Sequence, residues 1–346
     1  MLSQLKRTPM IPFITLLGGL LLGLSSDPNL AASSGADVAA APASSATSAS
    51  GSITYRLPDG PIYRIAAQIE ATPQNVSLVL NALASGSEDI WLNMSPDGKW
   101  LLLATDRFDA DCVGWPCLAI VSGDLSTGTA VRAHGELIHP EGFSVVASGG
   151  NLIVYPGPGG PHTLDLWAVT RREDGWSTPL LLTANSSYTY NHQPAILADG
   201  SKVVFDCGHQ PYGAEGTALC EVGTDGRGFR VVLTPADSPP GFPTTGALHH
   251  PDYAPDGSIV FEADWAGEQI WRLPVGAVIP VRVASQFGND NSPCVLPDGR
   301  IVSLWLNRPG NSAGFHEIKV MTPDGDSYIM VLTGLDVADV GIGCGS

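Results

Sequence analysis

Ser95-Pro96-Asp97-Gly98-Lys99-Trp100-Leu101-Leu102-Leu103 is a tight turn followed by an apolar run. The phrase returns at Ala198-Asp199-Gly200-Ser201-Lys202-Val203-Val204-Phe205, at Pro255-Asp256-Gly257-Ser258-Ile259-Val260-Phe261, and at Pro297-Asp298-Gly299-Arg300-Ile301-Val302-Ser303. Asp-Gly between apolar runs is the strongest short-range hairpin signal. The expected form is a type I′ turn, with φ > 0 at both central residues. A fixed phrase recurring every ~40–50 residues marks a repeat array, and an array of strands means propeller blades.

Aligned on the turn, each unit reads as four strands. Strand a precedes Asp-Gly and strand b follows it; strand c comes after a longer loop, and a second turn leads to strand d. A further unit has a decayed turn at Ser148-Gly149-Gly150-Asn151. Asp97, Gly149, Asp199, Asp256 and Asp298 then stand 52, 50, 57 and 42 residues apart. Five whole units leave two ends. Residues 53–57, 61–66 and 76–80 read as strands b, c and d without an a; residues 336–342 read as an a strand with nothing after it. One end completes the other, and such closure removes the free edges that invite pairing. The expected fold is all-β: a single six-bladed β-propeller of four-stranded blades over 53–346, its last blade closed by both termini.

Lys6 and Arg7 precede an apolar run over 11–24, the pattern of a secretory signal peptide, assigned to 1–30. The run is too short to span a bilayer comfortably, so no transmembrane segment is expected in the mature chain. Residues 31–52 are almost all Ala, Ser and Gly and read as a flexible linker. The expected location is periplasmic or secreted, and the expected state a monomer. The chain has 17 Lys+Arg against 34 Asp+Glu, a net charge of −17. That excludes nucleic acid as a partner class, because phosphate binding runs on Lys and Arg. Six cysteines in an exported chain point to disulfides. Cys112 and Cys117 flank one loop, Cys207 and Cys220 flank another, and Cys294 and Cys344 remain; those three pairs are expected.

The repeated phrases resemble the TolB-type, PD40 family of β-propeller repeats. Two features carry the resemblance: the Ser95–Leu101 phrase with its copies, and Ile318-Lys319-Val320-Met321-Thr322-Pro323-Asp324-Gly325 followed by Leu332-Thr333. The match covers roughly 53–346 and is specific for fold. The family includes periplasmic scaffold propellers, propeller domains of prolyl-peptidase-type hydrolases, and some polysaccharide lyases. The family's peptidases carry an α/β-hydrolase domain beside the propeller, and no such domain is read in this sequence, so peptidase chemistry is not expected.

In a propeller the starts of the a strands and the b–c loops gather on one face, at the channel mouth. His192, His249 and Asn291 each stand seven residues before their turn aspartate, and His250 is a neighbour. The b–c loops add His209, Tyr212, Asp264, Trp265, Arg308 and His316, and the acidic trio Asp106, Asp109 and Asp111 as a calcium-type set. His250, Trp265, Asn291 and His316 form the expected ligand face, with Trp115 as a further loop aromatic. Trp91, Trp100, Trp167, Trp271 and Trp305 read as core between blades. The principal expectation is a binding or scaffold module for an envelope or extracellular protein, or a saccharide. The alternative is a polysaccharide lyase. Its candidate catalytic groups are His192, His209, His249, Tyr212 and Arg308, the last neutralising a uronate carboxylate. His192, His209 and His249 are candidate ligands for a divalent ion, Mn, Zn or Ca. The same positions also hold polar groups simply to bond inner strands and channel water.

Overall fold

The computed structural model describes residues 51–58, 60–77, 89–107, 118–133, 142–211, 214–283, 289–306, 308–311, 313–338 and 341–346. The expected signal peptide, most of the linker, Cys112, Cys117, Asp109, Asp111, Trp115 and Tyr212 lie outside the described residues.

Six antiparallel sheets stand in a ring as a β-propeller. Blade 2 comprises Asp89–Met94, Trp100–Thr105, Ala119–Asp124 and Thr129–Arg132, from the channel outward. Blade 3 comprises Val145–Val146, Leu152–Gly157 and Asp165–Arg172, with Gly175–Trp176 and Leu180–Leu181 both pairing outside the last. Blade 4 comprises Tyr190–Ile196, Lys202–Gly208, Ala218–Gly223 and Arg230–Leu233. Blade 5 comprises Leu248–Tyr253, Ile259–Ala263, Gln269–Leu273 and Val281–Arg282. Blade 6 comprises Asn289–Val295, Ile301–Leu306, Glu317–Met321 and Tyr328–Leu332. Blade 1 combines Ser52–Arg56, Ile62–Ala66 and Gln74–Asn75 with an inner strand from the other end of the chain, Gly343–Gly345. No helix among the described residues is long and apolar enough to cross a membrane.

The apolar runs after each turn follow from this stacking. Second strands have a blade on both sides, so both of their faces bury apolar side chains. Val203 and Phe205 pack toward blade 3, while Val204 between them packs toward blade 5. Val302 and Leu304 face blade 1, and Ile301 faces blade 5. One apolar cluster fills each of the six junctions between neighbouring blades. Three of the five tryptophans expected as core take part in this packing: Trp271 is buried in the junction of blades 4 and 5, and Trp100 and Trp167 lie against that of blades 2 and 3, whereas Trp305 is buried against Tyr328 and Lys319 of its own blade and Trp91 is half-buried on the inner strand of blade 2. Blade 3's decayed turn has Gly149 in the aspartate's place and keeps the closing glycine as Gly150. Gly150 has φ 69° and lies against the Trp100 ring, where a Cβ would come within 2.2 Å of Cε2.

Three local expectations change. The repeated turns are not type I′. Gly98, Gly200, Gly257 and Gly299 have positive φ, and none of the preceding aspartates does. Each glycine N–H donates to the carbonyl three residues back, as Gly98 does to Ser95 at 2.8 Å. This is a type I turn followed by a left-handed glycine. Pro96, Pro255 and Pro297 sit at the second turn position, where their locked φ suits type I. The aspartate carboxylate then caps the turn, accepting Ser201 N at 2.8 Å on Asp199 and Ser258 N at 3.0 Å on Asp256. Second, the inner strand of blade 1 is Gly343–Gly345, in register with Ser52–Thr54, rather than 336–342. The backbone of blade 2 is so close that a Cβ on Gly343 would meet Met94 N at 2.5 Å, so glycine suits the register. Third, the outer strand paired in blade 1 is Gln74–Asn75, ahead of the expected 76–80, of which 78–80 lie outside the described residues. The Ile62 N–H beyond it is taken by the Ser77 hydroxyl at 2.6 Å, which ends the ladder there.

Candidate functional site

The inner strands line the channel, and they share a break. In blades 2, 4, 5 and 6 the register shifts between Ile90 and Asn93, His192 and Ala195, His249 and Asp252, and Asn291 and Cys294. A left-handed residue sits in each: Trp91 (φ 54°), Gln193 (49°), His250 (44°) and Ser292 (49°). All four stand six residues before the turn aspartate, and in blades 4, 5 and 6 a proline follows: Pro194, Pro251 and Pro293. Left-handed backbone costs a non-glycine residue roughly 1–2 kcal/mol. A bulge of this kind re-aims a side chain and frees a backbone N–H from its own ladder.

Here the freed groups bond the next blade. Gln193 Oε1 accepts the His250 N–H at 3.3 Å, and Glu262 Oε2 accepts the Ser292 N–H at 3.1 Å. Gln193 Nε2 lies 2.9 Å from His250 Nε2, and His250 Nδ1 lies 3.3 Å from Glu262 Oε2. A carboxamide nitrogen only donates, so His250 Nε2 accepts and its Nδ1 carries the proton toward Glu262. One hydrogen-bonded line, Gln193–His250–Glu262–Ser292, thereby ties blades 4, 5 and 6 together and orients the His250 ring.

His192, His249 and Asn291 do occupy matching places, opposite Asp206, Glu262 and Leu304. Their surroundings differ. His192 is 1% exposed, its Nδ1 3.7 Å from Asp206 Oδ2. Burial pushes its pKa down to about 3, with His250 and His249 adding to the shift. Burial and the nearby Glu262 push the Asp206 carboxyl well up. Burial thus disfavours the charged form of both partners. His249 is half-buried, Nε2 3.7 Å from Asp264 Oδ2, with its ring centroid 6.3 Å from that of His250. His209 is exposed and lies against Tyr188, centroids 5.0 Å apart. Among the described residues no group of three His, Cys, Asp or Glu side chains is arranged to hold a metal ion. Asp106 is buried.

Arg308 is bound to Glu317 through two bonds, Nε to Oε2 at 2.5 Å and Nη2 to Oε1 at 3.1 Å. His316 bonds Asp336 through its N–H at 2.8 Å, and its ring Nδ1 lies 3.3 Å from the same oxygen. Trp265 is not on a ligand face. It is 2% exposed, edge-on to Phe261 and Trp271, with Nε1 donating to the Pro235 carbonyl at 3.0 Å. A loop tryptophan that satisfies its one donor can bury the rest of its ring, and this one folds back into the junction of blades 4 and 5. Gln193, Glu262 and Asp252 went unread at the level of sequence. The signal available was the proline repeated five residues before three of the turn aspartates.

Two cavities follow the channel. One lies at the mouth among Phe143, Gln193, His250 and Ser292. The other lies on the side of the Asp-Gly turns. Asn93, Ala195, Asp252 and Cys294 line both and form the waist between them. Cys294 is bonded to Cys344 there, and Cys207 is bonded to Cys220 within blade 4.

No protein-family model matches the sequence. No curated protein sequence matches it either. Solved structures do match by fold. TolB from Acinetobacter baumannii superposes with TM-score 0.61 at 15% identity, over 86% of this chain and 66% of that one. A protein assigned as TolB from Agrobacterium tumefaciens gives TM-score 0.54 at 16% identity, over 81% of this chain and 87% of that one. A chain of a nidogen/laminin complex gives 0.56 at 9% identity, over 85% and 98%. With six four-stranded blades and these neighbours, the chain has the fold of the TolB-type β-propellers.

Proposed function

We propose that this chain is an exported binding module that holds a protein or saccharide ligand over the mouth of its channel. Export is supported by the Cys207–Cys220 and Cys294–Cys344 bonds, which form in oxidising compartments, and by the charged and apolar pattern of 1–30. The observation that favours binding over a lyase reaction is the state of Arg308. A uronate lyase needs a cation to neutralise a carboxylate, and the charge of this guanidinium is already matched by Glu317, which holds its Nε–Nη2 edge. The histidines also divide their work: His192 against Asp206, His249 against Asp264, His209 against Tyr188. The mouth offers half-buried His249, His250 and Asn291, with His250 held by inter-blade hydrogen bonds that leave little to reorganise on binding.

The test places a photo-crosslinking amino acid at Asn291 or His316, at the mouth, and at Asp199 or Asp256, on the turn side. Irradiation of cells exporting each variant should give an adduct of defined mass from the mouth positions only. A glycan array with purified protein tests the saccharide form of the reading. Adducts from the turn side alone would move the ligand face. Release of unsaturated uronate from polyuronates, with or without added Mn²⁺, Zn²⁺ or Ca²⁺, would replace the reading with the lyase.

A further inference from the structure

The turn-side cavity differs in chemistry from the mouth. Its walls are aliphatic and proline side chains from the ends of the inner strands, with Leu197, Pro255, Leu296 and Pro297 among them. At the waist, where it narrows into the mouth cavity, stand Asp252 and Asn93. Asp252 Oδ2 accepts the Val295 N–H at 2.7 Å and Oδ1 accepts the Tyr253 N–H at 2.8 Å. Each carboxylate oxygen has a second lone pair, and the side chain lines the lumen. Among the described residues no Lys or Arg lines either cavity.

We propose that this cavity binds an apolar ligand through a primary ammonium group, with the cation on Asp252 and the hydrocarbon body against the walls. An anion set in an apolar enclosure without a cation calls for one from a ligand. Burial pushes the Asp252 carboxyl up to about 7, the state of an acid that lacks a counter-ion. The net charge of −17 attracts cations toward the molecule from a distance. The site is on the opposite side of the waist from the proposed docking face, and it stands or falls independently of that reading.

Calorimetric titration with hexylammonium and with hexan-1-ol tests it, using the full exported chain. Hexylammonium should bind saturably and at least roughly tenfold more tightly than the alcohol, the ratio a single charge-assisted hydrogen bond supplies. Asp252→Asn keeps an acceptor for Val295 N and should reduce the ammonium to the level of the alcohol. Ala198→Trp, at an exposed position on the cavity rim, should weaken both ligands without changing the melting temperature. An apolar tripeptide amide, compared with its N-acetyl form, tells a peptide N-terminus from a small amine as the source of the ammonium. Equal binding of ammonium and alcohol, undiminished binding by Asp252→Asn, or no binding of hexylammonium would overturn the proposal.

Discussion

Cys294 and Cys344 lie with Cα atoms 5.7 Å apart and are bonded, which joins the inner strand of blade 6 to the C-terminal strand of blade 1. They are separated by 50 residues, against 13 for Cys207 and Cys220. In the chain-entropy model the longer loop constrains the unfolded chain by about 4 kcal/mol and the shorter by about 3 kcal/mol. The double variant Cys294→Ser/Cys344→Ser should therefore melt below Cys207→Ser/Cys220→Ser. It also releases the strand that pairs with Ser52–Thr54, which widens the gap. Calorimetry of both under non-reducing conditions checks the order.

Trp265 is a core residue, and its replacement tests that placement. Trp265→Ala should cost about 3–5 kcal/mol, the range for truncating a buried aromatic. Trp265→Phe should cost less, since it keeps part of the ring contact with Phe261 and Trp271 and loses the bond to Pro235 O. Urea unfolding measures both. A cost below about 1 kcal/mol for the alanine variant would return Trp265 to the surface.

Gly149 and Gly150 form a matched pair. Both have positive φ, 84° and 69°. A Cβ on Gly149 meets nothing within 4 Å, whereas one on Gly150 falls into the Trp100 ring. Gly149→Ala should cost only the backbone strain, about 1 kcal/mol. Gly150→Ala should cost at least about 2 kcal/mol more, because the junction of blades 2 and 3 must open. Equal costs would contradict the contact.

His192 sets a pH dependence with a definite sign. Its pKa is about 3 in the folded protein and near 6.5 when unfolded. A base whose folded pKa is depressed binds protons better unfolded, so its contribution is intact above pH 6.5 and lost as pH falls toward 3. By pH 5 the loss is on the order of 2 kcal/mol. Asp206 and Asp252, with raised pKa values, act the opposite way and gain stability on acidification. The comparison must therefore be differential. Between pH 7 and pH 5, wild type should lose about 2 kcal/mol more than His192→Asn, measured by denaturant midpoint. Parallel profiles would mean that the imidazole is not buried in its neutral form.

The repeat, the strand order of each blade and the count of blades were legible in the sequence because they rest on local signals. Pro-Asp-Gly stops a strand by backbone geometry, and a second strand buried on both faces must read as a continuous apolar run such as Val203-Val204-Phe205. The matched offset of His192, His249 and Asn291 was legible for the same reason, since identical turns carry identical registers. What those residues do was decided by the packing of one blade on the next. His192 meets Asp206 and is sealed; His249, at the same offset, meets Asp264 and stays half-open. Trp265 belongs to the core because Pro235, thirty positions earlier, supplies its acceptor. The turn type is the same with Pro96, Pro255 and Pro297 at the second position as with Ala198, so proline's fixed φ suits it without dictating it. The left-handed bulges and the carboxylate of Asp252 at the channel waist depend on hydrogen bonds between residues about thirty to sixty apart, such as Gln193 to His250 and Asp252 to Val295. No local pattern encodes such pairs, because each partner acquires its role only when the next blade closes against it.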